Sequence, residues 1–229
     1  MSKITVLSLG GSIVAPGIID TVFLKEFVSE TKKYLDQDAD RKLIIVTGGG
    51  AIARDYQNAV KAVINVKNND ILDSIGIKAT HLNAILVKSL YEEYSSDELV
   101  TTLDNPISFS GRVLVAGGWK PGFSTDTVAA YLAQQFSSKL IVNLSNIKKV
   151  YTADPRVDEN AKPLDTITWD EFTAMVGGEW IPGKNTPFDP IASVIAKEEK
   201  MSVICADGRN IENTMAILNE EEYIGTLIS

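Results

Sequence analysis

The sequence predicts an α/β domain built on a mainly parallel sheet, and three observations predict it. Five short runs, ITVLSL, KLIIVT, RVLVAG, KLIVNL and SVICA, are nearly continuous in apolar residues and rich in β-branched ones. That is the pattern of strands buried on both faces. Between the runs lie stretches whose apolar residues repeat at helical spacing. Three of the runs end in glycine pairs or triplets, at the edge where an open parallel sheet binds its ligands.

The first run, residues 4–9, stops at Gly10-Gly11-Ser12. Phe23, Phe27, Val28, Thr31 and Leu35 then follow helical spacing, giving an apolar face that suits either a core or a contact with a second copy. KLIIVT leads into Gly48-Gly49-Gly50, with a helix predicted from about Ala51. Residues 65–77 are polar and read as a loop or lid. Leu82, Ile85, Leu86 and Leu90 mark the next helix. RVLVA precedes Gly117-Gly118, and the chain runs through WKPGF to Ser124-Thr125-Asp126-Thr127, opening a helix that carries VAAYLA. KLIVNL is the fourth strand. Thr168 with Glu171 three residues on is a capping-box pattern. Asp189 before Pro190 reads as an N-cap and first helical residue. SVICA is the last strand, and the alternation implies right-handed crossovers within one domain, residues 1–229.

Composition narrows the function classes. With 229 residues, 45% hydrophobic and 23% charged, the chain has ordinary globular composition. A net charge of −8 and a pI near 4.8 argue against a nucleic-acid partner, which calls for a basic face, but leave room for a small anionic ligand. The single cysteine, Cys205, lies in an apolar run and reads as a buried thiol in a reducing compartment. No apolar stretch reaches bilayer length, and the N-terminal run lacks the pattern of a signal peptide. A soluble, cytoplasmic protein without a membrane partner is expected.

The glycine turns carry the chemistry. Glycine lets backbone N–H groups approach an anion, and a following helix points its positive end at the same place. Three such turns at strand ends favour phosphate binding over plain tight turns. Other short motifs fail. GGEWIPGKN, residues 177–185, has the G-x₄-G-K spacing but Asn185 where a P-loop needs Ser or Thr, and it follows a predicted helix. No G-x-G-x-x-G follows a strand, and no G-x-S-x-G occurs. One histidine and one cysteine make a His-based triad or a protein-held metal site improbable. His81 is expected to be a surface or packing residue.

LGGS, VTGGGAIAR, DSIGI, GGWKPGFSTDTVAA, SNIKKVYTADPR and FDPIASVIAK, in this order, resemble segments of the amino-acid kinase superfamily, most closely its archaeal-type UMP kinase branch. VYTADPR is the most specific of them. The resemblance implies a three-layer αβα sandwich, with an acceptor part over about residues 1–137 and an ATP part over about 138–229. It implies ATP-dependent phosphorylation of UMP to UDP with Mg²⁺, in pyrimidine nucleotide metabolism, by a homo-oligomer, commonly a hexamer. By position it assigns Ser8, Leu9, Gly10, Gly11, Ser12, Gly50, Arg54, Ser145, Asn146, Tyr151 and Asp154 to ATP. It assigns Gly49, Asp73, Trp119, Lys120, Pro121, Gly122, Phe123, Ser124 and Thr125 to UMP. Asp126 matches the carboxylate that organises charge near the transferred phosphoryl group.

The sequence departs from that pattern in its cations. Many relatives carry a lysine where Ser8 stands and another near Ser193, and Lys148-Lys149 replaces their Asp-Gly. Lys148, with Lys149, Lys120 and Lys184 as alternatives, is the candidate for the missing charge. Two rival readings remain: a nucleotide-binding sensor without turnover, and a kinase of another phosphate or carboxylate acceptor.

Overall fold

A computed structural model describes residues 3–177 and 186–229. Its central sheet has seven strands: β1 (Lys3–Leu9), β2 (Arg41–Thr47), β3 (Val113–Ala116), β4 (Leu140–Ser145), β5 (Thr166–Ile167), β6 (Ser202–Asp207) and β7 (Thr226–Ile228). They lie in the order β3-β2-β1-β4-β6-β7-β5. All pairings are parallel except β6 with β7. The five strands expected from sequence are β1, β2, β3, β4 and β6. The additions, β5 and β7, are two and three residues long and extend one edge.

Eight helices are described: α1 (Gly11–Val14), α2 (Thr21–Asp36), α3 (Gly50–Val63), α4 (Asp70–Leu90), α5 (Thr125–Gln135), α6 (Trp169–Val176), α7 (Pro190–Glu198) and α8 (Ile211–Leu218). Strand residues alternate between two cores, as the period of two requires. Val6, Ile44, Leu114, Ile141 and Val203 pack with α5, α6 and α7. Leu7, Ile45, Val115, Val142 and Ile204 pack with α1, α2, α4 and α8. The result is the three-layer αβα sandwich. No helix among the described residues is long and apolar enough to cross a membrane.

The helix starts follow their local chemistry. Thr168 and Glu171 form the reciprocal capping box, and the Asp189 carboxylate caps α7 ahead of Pro190. Ser124 Oγ accepts from Thr127 N at 3.1 Å and caps α5. The polar stretch expected as a loop is shorter than expected. α4 begins at Asp70, because Leu72, Ala79, Asn83, Ala84 and Val87 lie along one buried stripe and Asp70 and Asp73 complement its positive N-terminus. The face of α4 also differs from expectation, since Leu82 and Ile85 point outward, 56% and 54% exposed. On α2, Phe23, Phe27 and Leu35 are buried, so that face belongs to the core.

The chain between α4 and β3 is anchored by Asp97, which is 7% exposed. Its Oδ1 accepts from Ser110 N, Ser110 Oγ and Ser108 Oγ, and its Oδ2 accepts from Gly111 N. Burial pushes the carboxyl upward, but these bonds outweigh it and bring it to about 2. Its stabilisation is therefore present above the unfolded value of 3.8 and disappears as pH falls through about 2. Asp97→Asn puts an amide against these donors and is expected to cost about 2–3 kcal/mol at pH 7. Urea unfolding at pH 7 measures the loss, and the difference from wild type should shrink on acidification.

Candidate active site

The carboxyl ends of β1 and β2 are locked together by their glycine turns. Gly48 N donates to Leu9 O at 2.9 Å, Ala51 N donates to Ala15 O at 2.9 Å, and Gly10 N donates to Leu144 O at 2.9 Å. A Cβ on Gly11 would overlap Gly50 N and lie 2.6 Å from Gly50 Cα and 2.7 Å from Gly48 C. Gly50 has φ +68°, and a Cβ there would sit 2.5 Å from Gly11 O. Two backbones thus pass where side chains cannot fit. The N–H groups of Gly11, Ser12, Gly49 and Gly50 have no acceptor among the described residues. Such uncommitted donors at strand ends are what an anion needs. Arg54, one turn into α3, is exposed with no partner among the described residues.

Beneath the turns a row of small polar residues crosses the sheet. Ser8 on β1 stands opposite Asn143 on β4, which stands opposite Cys205 on β6. Ser8 Oγ donates to Asp126 Oδ1 at 2.8 Å, and Asn143 Nδ2 donates to Pro187 O at 2.8 Å. Asp126 occupies the first turn of α5, with Asp189 nearby. It keeps some accessible surface, yet protein surrounds it densely. That desolvation pushes its carboxyl up to about 6, and nearby Asp189 adds to the rise, while the Ser8 hydroxyl opposes it. Asp189 itself is 5% exposed and accepts from Thr127 Oγ1 at 2.9 Å and Ala192 N at 2.9 Å. Cys205 is fully buried, as expected, and burial with the nearby Asp126 charge drives its thiol well above the usual range.

The positions assigned to UMP meet on one side. Asp73 lies in the first turn of α4 and accepts from Gly122 N at 3.0 Å. This ties the helix to the 119–125 loop. Trp119 and Phe123 pack with ring centroids 4.9 Å apart, and Lys120 Nζ lies 3.6 Å from the Trp119 centroid. Trp119 Nε1 donates to Asp104 Oδ2 at 3.1 Å, so the indole faces the Asp104 and Tyr131 side. Gly49 adjoins the same helix: a Cβ there would lie 3.3 Å from Gly76 O. Pro121 is exposed, and Ser124 and Thr125 form the start of α5.

On the other side, Ser145 ends β4 and its carbonyl accepts from Gly208 N at 2.8 Å, with Asn146 following exposed. Tyr151 is part-buried and bridges to Pro163. Asp154 is exposed and engages Arg156 through both oxygens, at 3.0 and 2.8 Å, which lowers its carboxyl to about 2. Among the lysines, Lys149 pairs with Asp165 and Lys120 sits on Trp119. Lys148 is exposed with no partner among the described residues. Lys184, with the rest of the G-x₄-G-K segment beyond Gly177, lies outside the described residues. Neither serine at the lysine positions faces open solvent: Ser8 is 3% exposed, and Ser193 is fully buried with its Oγ donating to Asp189 O at 2.8 Å.

Sequence reasoning did not find Thr80, Asn83 or the bonded role of His81. Thr80 Oγ1 accepts from Gly118 N at 2.6 Å, His81 Nε2 bonds Gly118 O at 2.7 Å, and Asn83 Nδ2 donates to Gly48 O at 2.7 Å. Their partners are the glycine turns 35 to 38 residues away in sequence, so no local signal marked them.

Residues 3–207 match the family model described as the amino acid kinase family. A uridylate kinase of Thermoplasma acidophilum is 34% identical over 233 residues, covering all of this chain and 97% of its own. A uridylate kinase of Methanococcoides burtonii is 34% identical, covering 94% of this chain and 91% of its own. The crystal structure of uridylate kinase from Archaeoglobus fulgidus superposes with a TM-score of 0.80 at 29% identity, covering 98% of this chain and 99% of that one. UMP kinase from Ureaplasma parvum, at 19% identity, shares the fold with a TM-score of 0.75. The matched profile, the near-complete overlap with these relatives and the common backbone establish that this chain belongs to the amino acid kinase family.

Proposed function

We propose that this protein is an ATP-dependent UMP kinase. The observation that carries the reading is the joining of the Asp73 carboxylate on α4 to the 119–125 loop, beside two glycine turns in which the N–H groups of Gly11, Ser12, Gly49 and Gly50 have no acceptor among the described residues. That arrangement suits a phosphorylated, hydroxyl-bearing acceptor facing a polyphosphate donor. Full-length similarity to uridylate kinases supports the same reading. The acceptor part comprises about residues 1–137 and the ATP part about 138–229.

In this reading an oxygen of the UMP phosphate attacks the γ-phosphorus of ATP in line. The bond from γ-phosphorus to the β,γ-bridging oxygen breaks, and UDP and ADP leave. The acceptor phosphate is already an anion, so no strong base is required, and no covalent enzyme intermediate forms. The turns at Ser8–Ser12 and Gly50, with Arg54, hold the ATP phosphates, while Ser145, Asn146, Tyr151 and Asp154 border the adenine nucleotide. Gly49, Asp73 and the loop through Trp119, Lys120, Pro121, Gly122, Phe123, Ser124 and Thr125 hold UMP. Lys148 supplies positive charge toward the transferred group.

Mg²⁺ keeps most of its waters and takes one or two carboxylates beside substrate phosphates. Asp126, partly accessible at the foot of the turns, fits that mode; no cluster of three or more acidic, His or Cys side chains occurs among the described residues. Bound with ATP, the ion neutralises charge on the β- and γ-phosphates. The protein is expected to act in the cytoplasm, in pyrimidine nucleotide synthesis, as a homo-oligomer. The outward apolar residues Tyr56, Val63, Ile71, Leu82 and Ile85 on α3 and α4 are the surface for self-association, and a hexamer is the proposed form.

An assay of ADP release across UMP, CMP, dUMP and acetate tests the acceptor. UMP is expected to give the highest kcat/KM, with acetate inactive. Lys148→Ala is expected to lower kcat by about 10²-fold with little change in the KM for UMP. Highest activity with acetate would move the protein to another acceptor class.

A further inference from the structure

Gly118 is clamped through both its N–H and its carbonyl by consecutive residues of one helix. Its N–H donates to Thr80 Oγ1 at 2.6 Å, and its carbonyl lies 2.7 Å from His81 Nε2. A carbonyl oxygen can only accept, so that ring nitrogen carries the hydrogen. The fit is tight: a Cβ on Gly117 would lie 2.6 Å from His81 Cδ2 and 3.1 Å from Thr80 Oγ1. The same helix turn also holds β2, since Thr47 Oγ1 donates to Thr80 O at 3.0 Å and Asn83 Nδ2 reaches Gly48 O. Two turns toward its N-terminus, Asp73 accepts from Gly122 N. The 118–122 segment is therefore fixed at both ends by α4, with only Trp119, Lys120 and Pro121 between the pins.

The clamp has a directional consequence. Among the described residues no peptide bond is cis. In a trans peptide the N–H points opposite to the carbonyl. With the Gly118 carbonyl held toward His81, the Trp119 N–H is turned away from α4. It has no acceptor among the described residues. A backbone donor held in one direction favours an oxygen acceptor and disfavours an amino group.

We propose that His81 is a positioning residue for the phosphoryl acceptor, acting through the Gly118–Trp119 peptide to present the Trp119 N–H to an oxygen of the bound nucleotide. The inference rests on the reading of this site as the UMP site. That oxygen is either the uracil 4-carbonyl or an oxygen that CMP shares, such as those of the phosphate. The two sources separate with CMP, which has an amino group where uracil has its 4-carbonyl.

The test compares His81→Ala, which removes the donor, with His81→Gln, which keeps an N–H at similar reach. Thermal unfolding of both checks that they are folded. His81→Ala is expected to speed hydrogen exchange at the amides of Gly118 and Gly122, the bonded amides of the segment, in the ligand-free protein. It should raise the KM for UMP about tenfold, the size of one hydrogen bond, and leave the KM for ATP within about twofold. His81→Gln should recover most of the loss. A penalty for UMP without one for CMP assigns the donor to the uracil 4-carbonyl, and equal penalties assign it to an oxygen that UMP and CMP share. The proposal is overturned if exchange and the KM for UMP are both unchanged, if the KM for ATP rises in parallel, or if the glutamine variant is as impaired as the alanine. A wild-type protein that does not turn over UMP refutes the functional reading instead, and the exchange measurement on the ligand-free variants still decides whether His81 holds the peptide.

Discussion

Gly11→Ala is expected to destabilise this fold by at least about 4 kcal/mol, whereas Gly17→Ala costs less than about 0.5 kcal/mol. Both glycines lie in the same short connection after β1, so propensity alone would not separate them. Space does. The new Cβ at position 11 would overlap Gly50 N and crowd Gly50 Cα and Gly48 C, all backbone atoms of the neighbouring turn. A flexible side chain could swing aside, but these atoms are held by β2 on one side and α3 on the other. The bonds at stake include Gly48 N to Leu9 O and Ala51 N to Ala15 O. At Gly17 a Cβ would meet nothing within 4 Å. Urea denaturation of the two variants, followed by far-ultraviolet circular dichroism, measures both numbers. Equal stability would mean that the turns do not approach as closely as described.

Asp126→Asn is expected to stabilise the protein while removing its activity. The carboxyl is raised to about 6 from 3.8, chiefly by desolvation. A raised folded-state value means the protonated form is the one the fold favours. The stability this provides is complete below 3.8 and lost as pH rises through about 6, leaving a burden of roughly 3 kcal/mol at neutral pH. Asparagine is neutral and still accepts from the Ser8 hydroxyl, so it relieves most of that burden. A gain of about 2 kcal/mol at pH 7.5, vanishing near pH 4, is the expected result in urea. Turnover should fall at least about 10²-fold if the carboxylate acts at the transferred group. In the wild type, kcat/KM should rise with pH around an apparent value near 6, because that ratio reports the free enzyme and the ionised form is the active one. A destabilised Asn variant, or one with normal kcat, would contradict the role given to Asp126. A carboxylate that costs stability in the first turn of α5 is the pattern expected of a functional group.

Much of this was readable from the residues because the strands are long enough to carry a pattern. KLIIVT and KLIVNL are buried on both sides, so their near-continuous apolar character survives any choice of neighbour. β5 and β7 escaped because strands of two or three residues have no periodicity to detect. The start of α4 was misread because Asp70, Asp73 and Ser74 make a polar first turn, favourable at a helix N-terminus yet indistinguishable by composition from loop. Its inner face was misread for a different reason. Thr80, His81 and Asn83 turn inward to bond the glycine turns, while Leu82 and Ile85 turn outward, which reverses the usual hydrophobic rule. Hydrogen bonds to backbone atoms 33 to 38 residues away leave no local signature. The glycine turns themselves were legible, but their reason was only half so. They offer N–H groups to an anion, and they also let two backbones touch.

Ser8 illustrates the limit best. From sequence it marks an absent lysine. In the fold it is a buried hydroxyl bonded to Asp126, in a row with Asn143 and Cys205 across the sheet. At this point of the site stands one carboxylate tuned by burial and a hydroxyl.

The most direct test is phosphorus NMR of the wild-type protein with equal ATP and UMP in the presence of Mg²⁺. UDP and ADP should grow in together in a one-to-one ratio while ATP and UMP decline, and Asp126→Asn should remain silent over the same time. Binding of both nucleotides with ATP left intact would contradict catalysis and make the protein a nucleotide sensor.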